Sequence, residues 1–299
     1  MEEQNRRAAD TRRMRKGLYV LPSLFTTANL AAGFYAISQA ALGAAYFMGL
    51  NGASPNGSSA AVYFNHAALA IGFAVFFDGM DGAIARLTRT TSDFGKELDS
   101  LADVVTFGVA PGILAWMWGF LCLPQTLDGE LRGKLIELGG IIAFAFLTAG
   151  ACRLARFNIT LNPQPKNPGL PGRKYFVGMP IPGGAGCLAA LVHLFLGKPI
   201  QNPAYAIAWM IYIAVCAFLM VSTWRFWSSK SIDFRSRKAA RLFVLIAVVI
   251  GAIWYFHRYM LFAMVTLYML SGIYARLTYA FRKRSSIPPS VPPAQEAGK

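Results

Sequence analysis

Charge is scarce in this chain. Of its 299 residues only 14% are Asp, Glu, Lys or Arg, whereas 55% are hydrophobic. A soluble globular domain carries about 25% charged residues, so composition alone excludes that class and indicates a membrane protein. Cysteine is sparse too. Cys122, Cys152, Cys187 and Cys216 are scattered without a C-x-x-C pair, which excludes a disulfide framework and a zinc site and leaves them as small core residues. The three histidines, His66, His193 and His257, lie far apart in sequence and carry no catalytic reading. The first apolar run begins near Leu18 and lacks a small-residue cleavage site, so no removable signal peptide is expected. Acidic residues are the scarcer sign, 14 against 29 Lys and Arg, for a net charge of +15. The basic residues lie between apolar runs and form no stripe or tail, which argues against nucleic acid as a partner.

What is present is a series of long apolar runs. A spanning helix needs about 20 apolar residues, and eight candidates appear, near 24–48, 62–84, 98–121, 135–157, 181–197, 203–224, 241–257 and 259–281. The fifth is short, and the last two are separated only by "FHRY". With the N-terminus inside and the spans alternating, 25 of the 29 Lys and Arg fall on the inner side, leaving Arg132, Lys134, Lys198 and Arg258 outside. That bias is the one expected for two cytoplasmic termini. The sequence therefore predicts an all-α integral membrane protein of about eight transmembrane helices with a cytoplasm-facing polar pocket. It divides into a basic interfacial helix over 1–22, a membrane domain over 23–284 and a disordered Pro-rich tail over 285–299.

Against this scarcity, the stretch 76–107 concentrates six of the 14 acids: Asp78, Asp81, Asp93, Glu97, Asp99 and Asp103. Four of them, Asp78, Asp81, Asp99 and Asp103, lie in or at the ends of spans two and three. An intramembrane carboxylate costs a few kcal/mol even on gentle scales, so it marks a functional site by default. Spacings of three and four place each pair on one helix face, and a loop of about a dozen residues makes the two helices antiparallel neighbours. Four converging carboxylates repel one another unless cations intervene. Oxygen ligands without nearby His or Cys favour Mg2+, Mn2+ or Ca2+, and Mg2+ completes its shell with phosphate oxygens. Asp93 and Glu97 fall on the loop and read as solvated charges. Gly79, Gly82 and Gly95 leave room for close backbone approach, and Arg86 offers a planar donor fork suited to phosphate.

The residues spell D-x2-D-G-x2-A-R-x8-G-x3-D-x3-D through Asp78, Asp81, Gly82, Ala85, Arg86, Gly95, Asp99 and Asp103. This resembles the signature of the CDP-alcohol phosphatidyltransferase family. The resemblance implies two Mg2+ or Mn2+ ions held by the four aspartates around the diphosphate of a CDP-linked lipid. It also implies Asp103 as the general base, although spacing alone does not say which of the four takes the proton. Gly82, Ala85, Arg86 and Gly95 would lie against the CDP-lipid, with Thr26 and Asn29 of the lead segment "LPSLFTTANLAAGF". The segments "RLARFN" and "VGMPIPGG" resemble the serine-using branch. That implies transfer from CDP-diacylglycerol to L-serine, with Arg153, Arg156 and Asn158 near phosphate or the acceptor, in a homodimer of the inner membrane. Other acceptors, glycerol 3-phosphate or inositol phosphate, remain open within the family. A cation transporter is the rival from another class, although it gives no reason for the Gly-x-x-Ala-Arg insert.

Overall fold

The computed structural model describes residues 2–50, 57–88, 93–160, 175–227 and 239–281, with side chains over 24–50, 57–79, 94–160, 175–227, 251 and 255–279. The tail at 285–299 lies outside the described residues. The chain is mostly helical: α1 (Glu2–Met48), α2 (Gly57–Thr88), α3 (Asp93–Asp103), α4 (Ala110–Trp116), α5 (Gly129–Ile159), α6 (Ile181–Leu194), α7 (Pro203–Val221) and α8 (Ala239–Phe281). Among the described residues, six segments are long and apolar enough to cross a membrane: Leu24–Met48, Gly57–Gly79, Phe94–Leu121, Gly129–Ile159, Pro203–Val221 and Tyr255–Tyr279. α6 is apolar but shorter, as the sequence expects of the fifth run. The run at 241–257 falls on the first half of α8, where few side chains are described. α8 breaks helical geometry at Phe256 (φ −116°, ψ 35°), the first residue of "FHRY". The basic lead forms no separate helix, because α1 continues through it without interruption.

Small residues set the closest helix contact. Ala36, Ala40 and Ala44 form a buried i, i+4, i+8 stripe on α1 that receives Ala60, Phe64, Ala67 and Ile71 of α2. With no hydrophobic drive between helices in lipid, backbone approach over small side chains supplies the van der Waals contact that holds such a pair. Tyr46 and Tyr63 stack at 4.8 Å near one end of this seam.

The third span departs from a plain α-helix. After Asp103 it widens into a π-helical segment, Val104–Val109, returns to α4, and widens again over Met117–Leu121. Ala110 N–H donates to Val105 O, five residues back. The next residue, Pro111, has no N–H with which to restore the α-helical ladder there. Thr106 in the widened segment donates to Asn29 O of α1 at 3.0 Å, and Trp209 of α7 donates to Ala115 O at 3.0 Å. These two bonds tie the irregular span to its neighbours α1 and α7.

One element is absent from the all-α expectation. β1 (Tyr175–Val177) and β2 (Arg225–Trp227) pair antiparallel, with Phe176 opposite Phe226. Gly178 ends β1 at φ +74°, and a Cβ there would lie 2.6 Å from Met220 O and 2.7 Å from Ser222 O. Pro180 then caps α6. The strands escape a helical reading because each is three residues long and bounded by Gly and Pro punctuation. Three of the four cysteines are small core residues, since Cys122, Cys187 and Cys216 are buried; Cys152 is exposed instead, and all four are free. In the turn after the third span, burial pushes the Cys122 thiol up to about 12, too high for a reactive thiolate.

Gly178→Ala is expected to cost about 2 kcal/mol or more, from left-handed backbone strain and a clash with two carbonyls. Gly79→Ala, where a Cβ meets nothing within 4 Å, should leave stability unchanged or slightly raised. Melting curves of both variants in one detergent check the contrast.

Candidate active site

The site is built where α2 and α3 meet. Both helices run further than the sequence implies: α2 continues to Thr88 and α3 begins at Asp93, so the connection shrinks to 89–92, which lie outside the described residues. Gly82, Ala85 and Arg86 therefore lie on α2, and Gly95 on α3. Asp81 is also on α2, but its side chain, like those of Ala85 and Arg86, is outside the described residues.

Asp78 of α2 and Asp99 and Asp103 of α3 converge. Each offers a carboxylate oxygen, and the three oxygens lie within 4.8 Å of one another. Asp103 is buried and the other two are half-buried. Two ligands of one ion are at most twice the bond length apart, roughly 4.2 Å for Mg2+ and 5 Å for Ca2+. A spread of up to 4.8 Å lies inside the Ca2+ limit and beyond the Mg2+ one, so the three carboxylates could share one Mg2+ after closing by about 0.6 Å. The all-oxygen donor set fits Mg2+ or Mn2+ and not zinc.

These aspartates line a cavity of about 430 Å3 whose far wall comes from α5, β1 and the start of α6. Arg153 and Asn158 face it from α5, Phe176 from β1, and Pro180 and Pro182 from the turn into α6. Arg153 is buried, with its guanidinium 5.4 Å from the Phe157 ring centroid and 6.0 Å from that of Phe176. A buried cation needs compensating charge, and the carboxylates of Asp103 and Asp78 act on it across the cavity. Among the described residues Arg153 makes no ion pair or hydrogen bond, so its donors face the open space. Asp93 and Glu97, expected on the loop, lie on α3 instead, because that helix begins at Asp93; the Glu97 side chain is exposed and lines the cavity.

The other arginine of the segment is placed differently. Arg156 donates to Val221 O at 2.9 Å, Ser222 O at 3.2 Å, and Met220 O and Val177 O at 3.4 Å. These carbonyls close the end of α7 and the end of β1, so the guanidinium fork satisfies acceptors that a helix terminus leaves open. Its donors point into the protein and not into the cavity. Asn158 donates from Nδ2 to Ser100 Oγ at 2.9 Å, tying α5 to α3. Thr26 and Asn29 are buried on α1, with Asn29 beside Thr106 of the widened segment. Asn29 Oδ1 has no hydrogen-bond partner among the described residues.

Sequence reasoning misses Ser100, Phe157 and Phe176. Ser100 was discoverable, because it lies three residues before Asp103 on the same helix. Phe157 was discoverable too, four residues after Arg153 on one helix, whereas Phe176 carries no such signal, since β1 was not foreseen. Two of the three histidines also meet unexpectedly, at the far end of α6 from Pro180. His193 Nδ1 lies 2.7 Å from Asn65 Oδ1, and its Nε2 lies 2.8 Å from His257 Nδ1.

The two arginines should separate in experiment. Arg156→Lys keeps the charge but loses the fork, and is expected to lower the melting temperature by several degrees with little change in substrate KM. Arg153→Ala should leave a folded protein whose activity falls at least tenfold, because a buried, cavity-facing cation is removed. Thermal melts and steady-state kinetics on both variants check this.

Comparison with known proteins bears on the same residues. The family model for CDP-alcohol phosphatidyltransferase matches residues 19–197, a range that holds the three converging aspartates, Arg153 and Asn158. The chain is 29% identical over 256 residues to a CDP-diacylglycerol–serine O-phosphatidyltransferase of Helicobacter pylori, covering 86% of this chain and 90% of that one. Proteins of the same name from Bacillus subtilis and Saccharomyces cerevisiae match at 35% over 154 residues and 43% over 106 residues. The Bacillus match covers 51% of this chain and 69% of its relative, the yeast match 36% and 33%. A match that spans more than half of the chain shows that it belongs to the CDP-alcohol phosphatidyltransferase family.

Proposed function

We propose that the protein transfers the phosphatidyl group of CDP-diacylglycerol to the hydroxyl of L-serine, releasing CMP. The observation that carries this reading is the convergence of Asp78, Asp99 and Asp103 within 4.8 Å on a cavity whose opposite wall presents Arg153. The serine oxygen forms a bond to the lipid-side phosphorus as the bond from that phosphorus to the CMP oxygen breaks. The hydroxyl proton passes to Asp103, the most buried of the three carboxylates. Asp78, Asp81, Asp99 and Asp103 would hold two Mg2+ or Mn2+ ions, whose charge stabilises the attacking and leaving oxygens of such a displacement. Positioning and charge stabilisation account for most catalysis in phosphoryl transfer, so the protein's task is to orient. Arg86, Gly82, Ala85 and Gly95, with Thr26 and Asn29, hold the CDP-lipid.

Among the described residues, the cations that line the cavity are Arg153 and Lys96. With Arg156 bonded to four carbonyls, Arg153 is the arginine of "RLARFN" left facing the cavity. Its guanidinium can pair bidentately with the carboxylate of serine. The names of the similar proteins support the same acceptor.

Eight spans, with both termini and the cavity on the cytoplasmic side of the cell membrane, complete the proposal. The pairing of β1 with β2 supports an even number of crossings between them, supplied by α6 and α7. The bend at Phe256 supports two crossings within α8. The protein acts as a homodimer in this reading.

Purified protein given CDP-diacylglycerol with serine, glycerol 3-phosphate or inositol phosphate should release CMP with serine alone, and excess EDTA should stop the release. Asp103→Asn should lower kcat by about a thousandfold or more while CDP-diacylglycerol still binds. Undiminished turnover in that variant overturns the assignment of the base, and ion flux in liposomes without CMP release overturns the transferase.

A further inference from the structure

Like Thr106, which donates to Asn29 O, and Thr266, whose Oγ1 has no partner among the described residues, Ser100 departs from the bond made by several other helical hydroxyls of this protein. Ser38, Thr148 and Thr278 each donate to the carbonyl four residues back, at 3.0, 3.0 and 2.9 Å. That is the default for a hydroxyl inside a helix. Ser100 lies inside α3 yet makes no such bond. Its Oγ instead accepts from Asn158 Nδ2 at 2.9 Å, and among the described residues its hydroxyl hydrogen has no acceptor. Ser100 also lines the cavity, on the helix that carries Asp99 and Asp103 and across from Arg153.

A hydroxyl has one hydrogen to give and two lone pairs to offer. Asn158 occupies a lone pair and fixes the Oγ position, which leaves the O–H to point elsewhere. An amide that offered its oxygen instead would claim that hydrogen, so the Nδ2 contact matters. The geometry points to Ser100 as a substrate-binding donor and to Asn158 as the positioning residue that aims it. The ligand atom is an anionic oxygen, either the carboxylate of the acceptor or a phosphoryl oxygen of the CDP-lipid. This rests on the transferase reading above and gives Asn158 a role through Ser100 in place of direct substrate contact. It also gives α5 a reason to cross α3 here, since the bond couples the wall holding Arg153 to the helix holding the carboxylates.

The test is a cycle of Ser100→Ala, Asn158→Ala, the double variant and Ser100→Thr, with KM measured separately for serine and CDP-diacylglycerol. Ser100→Ala should raise one KM about tenfold and leave the other unchanged, as loss of a hydrogen bond to a charged group predicts. A serine effect identifies the carboxylate, and a CDP-lipid effect the phosphoryl oxygen. Asn158→Ala should move the same KM by a smaller factor, the double variant should be no worse than Ser100→Ala, and Ser100→Thr should restore wild-type values. Melting curves distinguish a misfolded variant, and the threonine variant keeps the test sharp in that case. Unchanged KM values in Ser100→Ala, or effects of the two alanine changes that multiply in the double variant, overturn the proposal. Should wild-type protein release CMP with another alcohol, the cycle is run with that alcohol. Should it release none, equilibrium binding of CDP-diacylglycerol and of serine gives the same comparison, so failure of the transferase reading is seen separately.

Discussion

Mutual repulsion among Asp78, Asp99 and Asp103 is the constraint on which the rest of the structure turns. Two unit charges 4.8 Å apart repel by about 3.5 kcal/mol at an effective dielectric constant of about 20, and three carboxylates make three such pairs. Nothing in local helix propensity favours that arrangement. It persists only if the surrounding packing prevents the helices from rotating the acids apart and if positive charge is supplied. Arg153 supplies part of it from across the cavity. Its own burial against Phe157 and Phe176 leaves it poorly solvated by water and so dependent on that field.

The packing that resists separation is assembled from small residues and a few directed hydrogen bonds. The alanine stripe of α1 fixes α2, and hence the rotation of Asp78. Thr106, bonded to Asn29 O, fixes the third span against the same helix just beyond Asp103. A Cβ at Gly33 would come within 2.5 Å of Thr106 Oγ1, so α1 and the third span meet there at backbone distance. On the other side Arg156 gathers the ends of α7 and β1, and the turn through Gly178 and Pro180 delivers Phe176 and Pro182 to the cavity wall. An arginine whose donors are taken up by backbone carbonyls thus shapes the cavity wall.

Much of this was legible in the sequence, for identifiable reasons. Apolar runs reveal membrane helices because lipid demands about 20 such residues. The "FHRY" interruption marked the bend at Phe256, and the fifth run proved short, as its length implied. The i, i+4 spacing of Asp99 and Asp103 put both on one face, where the fold places them beside Asp78. What stayed hidden depends on residues distant in sequence. No spacing rule distinguishes Arg153 from Arg156, three residues apart, because their fates are decided by Phe176 and by carbonyls at 220–222. The β1–β2 pair joins segments nearly fifty residues apart in three-residue strands, too short for periodicity to register. The π-helical widening was foreshadowed only by Pro111, which equally permits a simple kink. His193 and His257, read as unrelated, meet because α8 runs along α6.

The account stands on three carboxylates forming one cation site within the membrane fold. Anomalous diffraction from crystals soaked in Mn2+ tests it most directly. A peak is predicted about 2.0–2.6 Å from oxygens of Asp78, Asp99 and Asp103 together. Density elsewhere, with these three side chains turned away from one another, would contradict the claim.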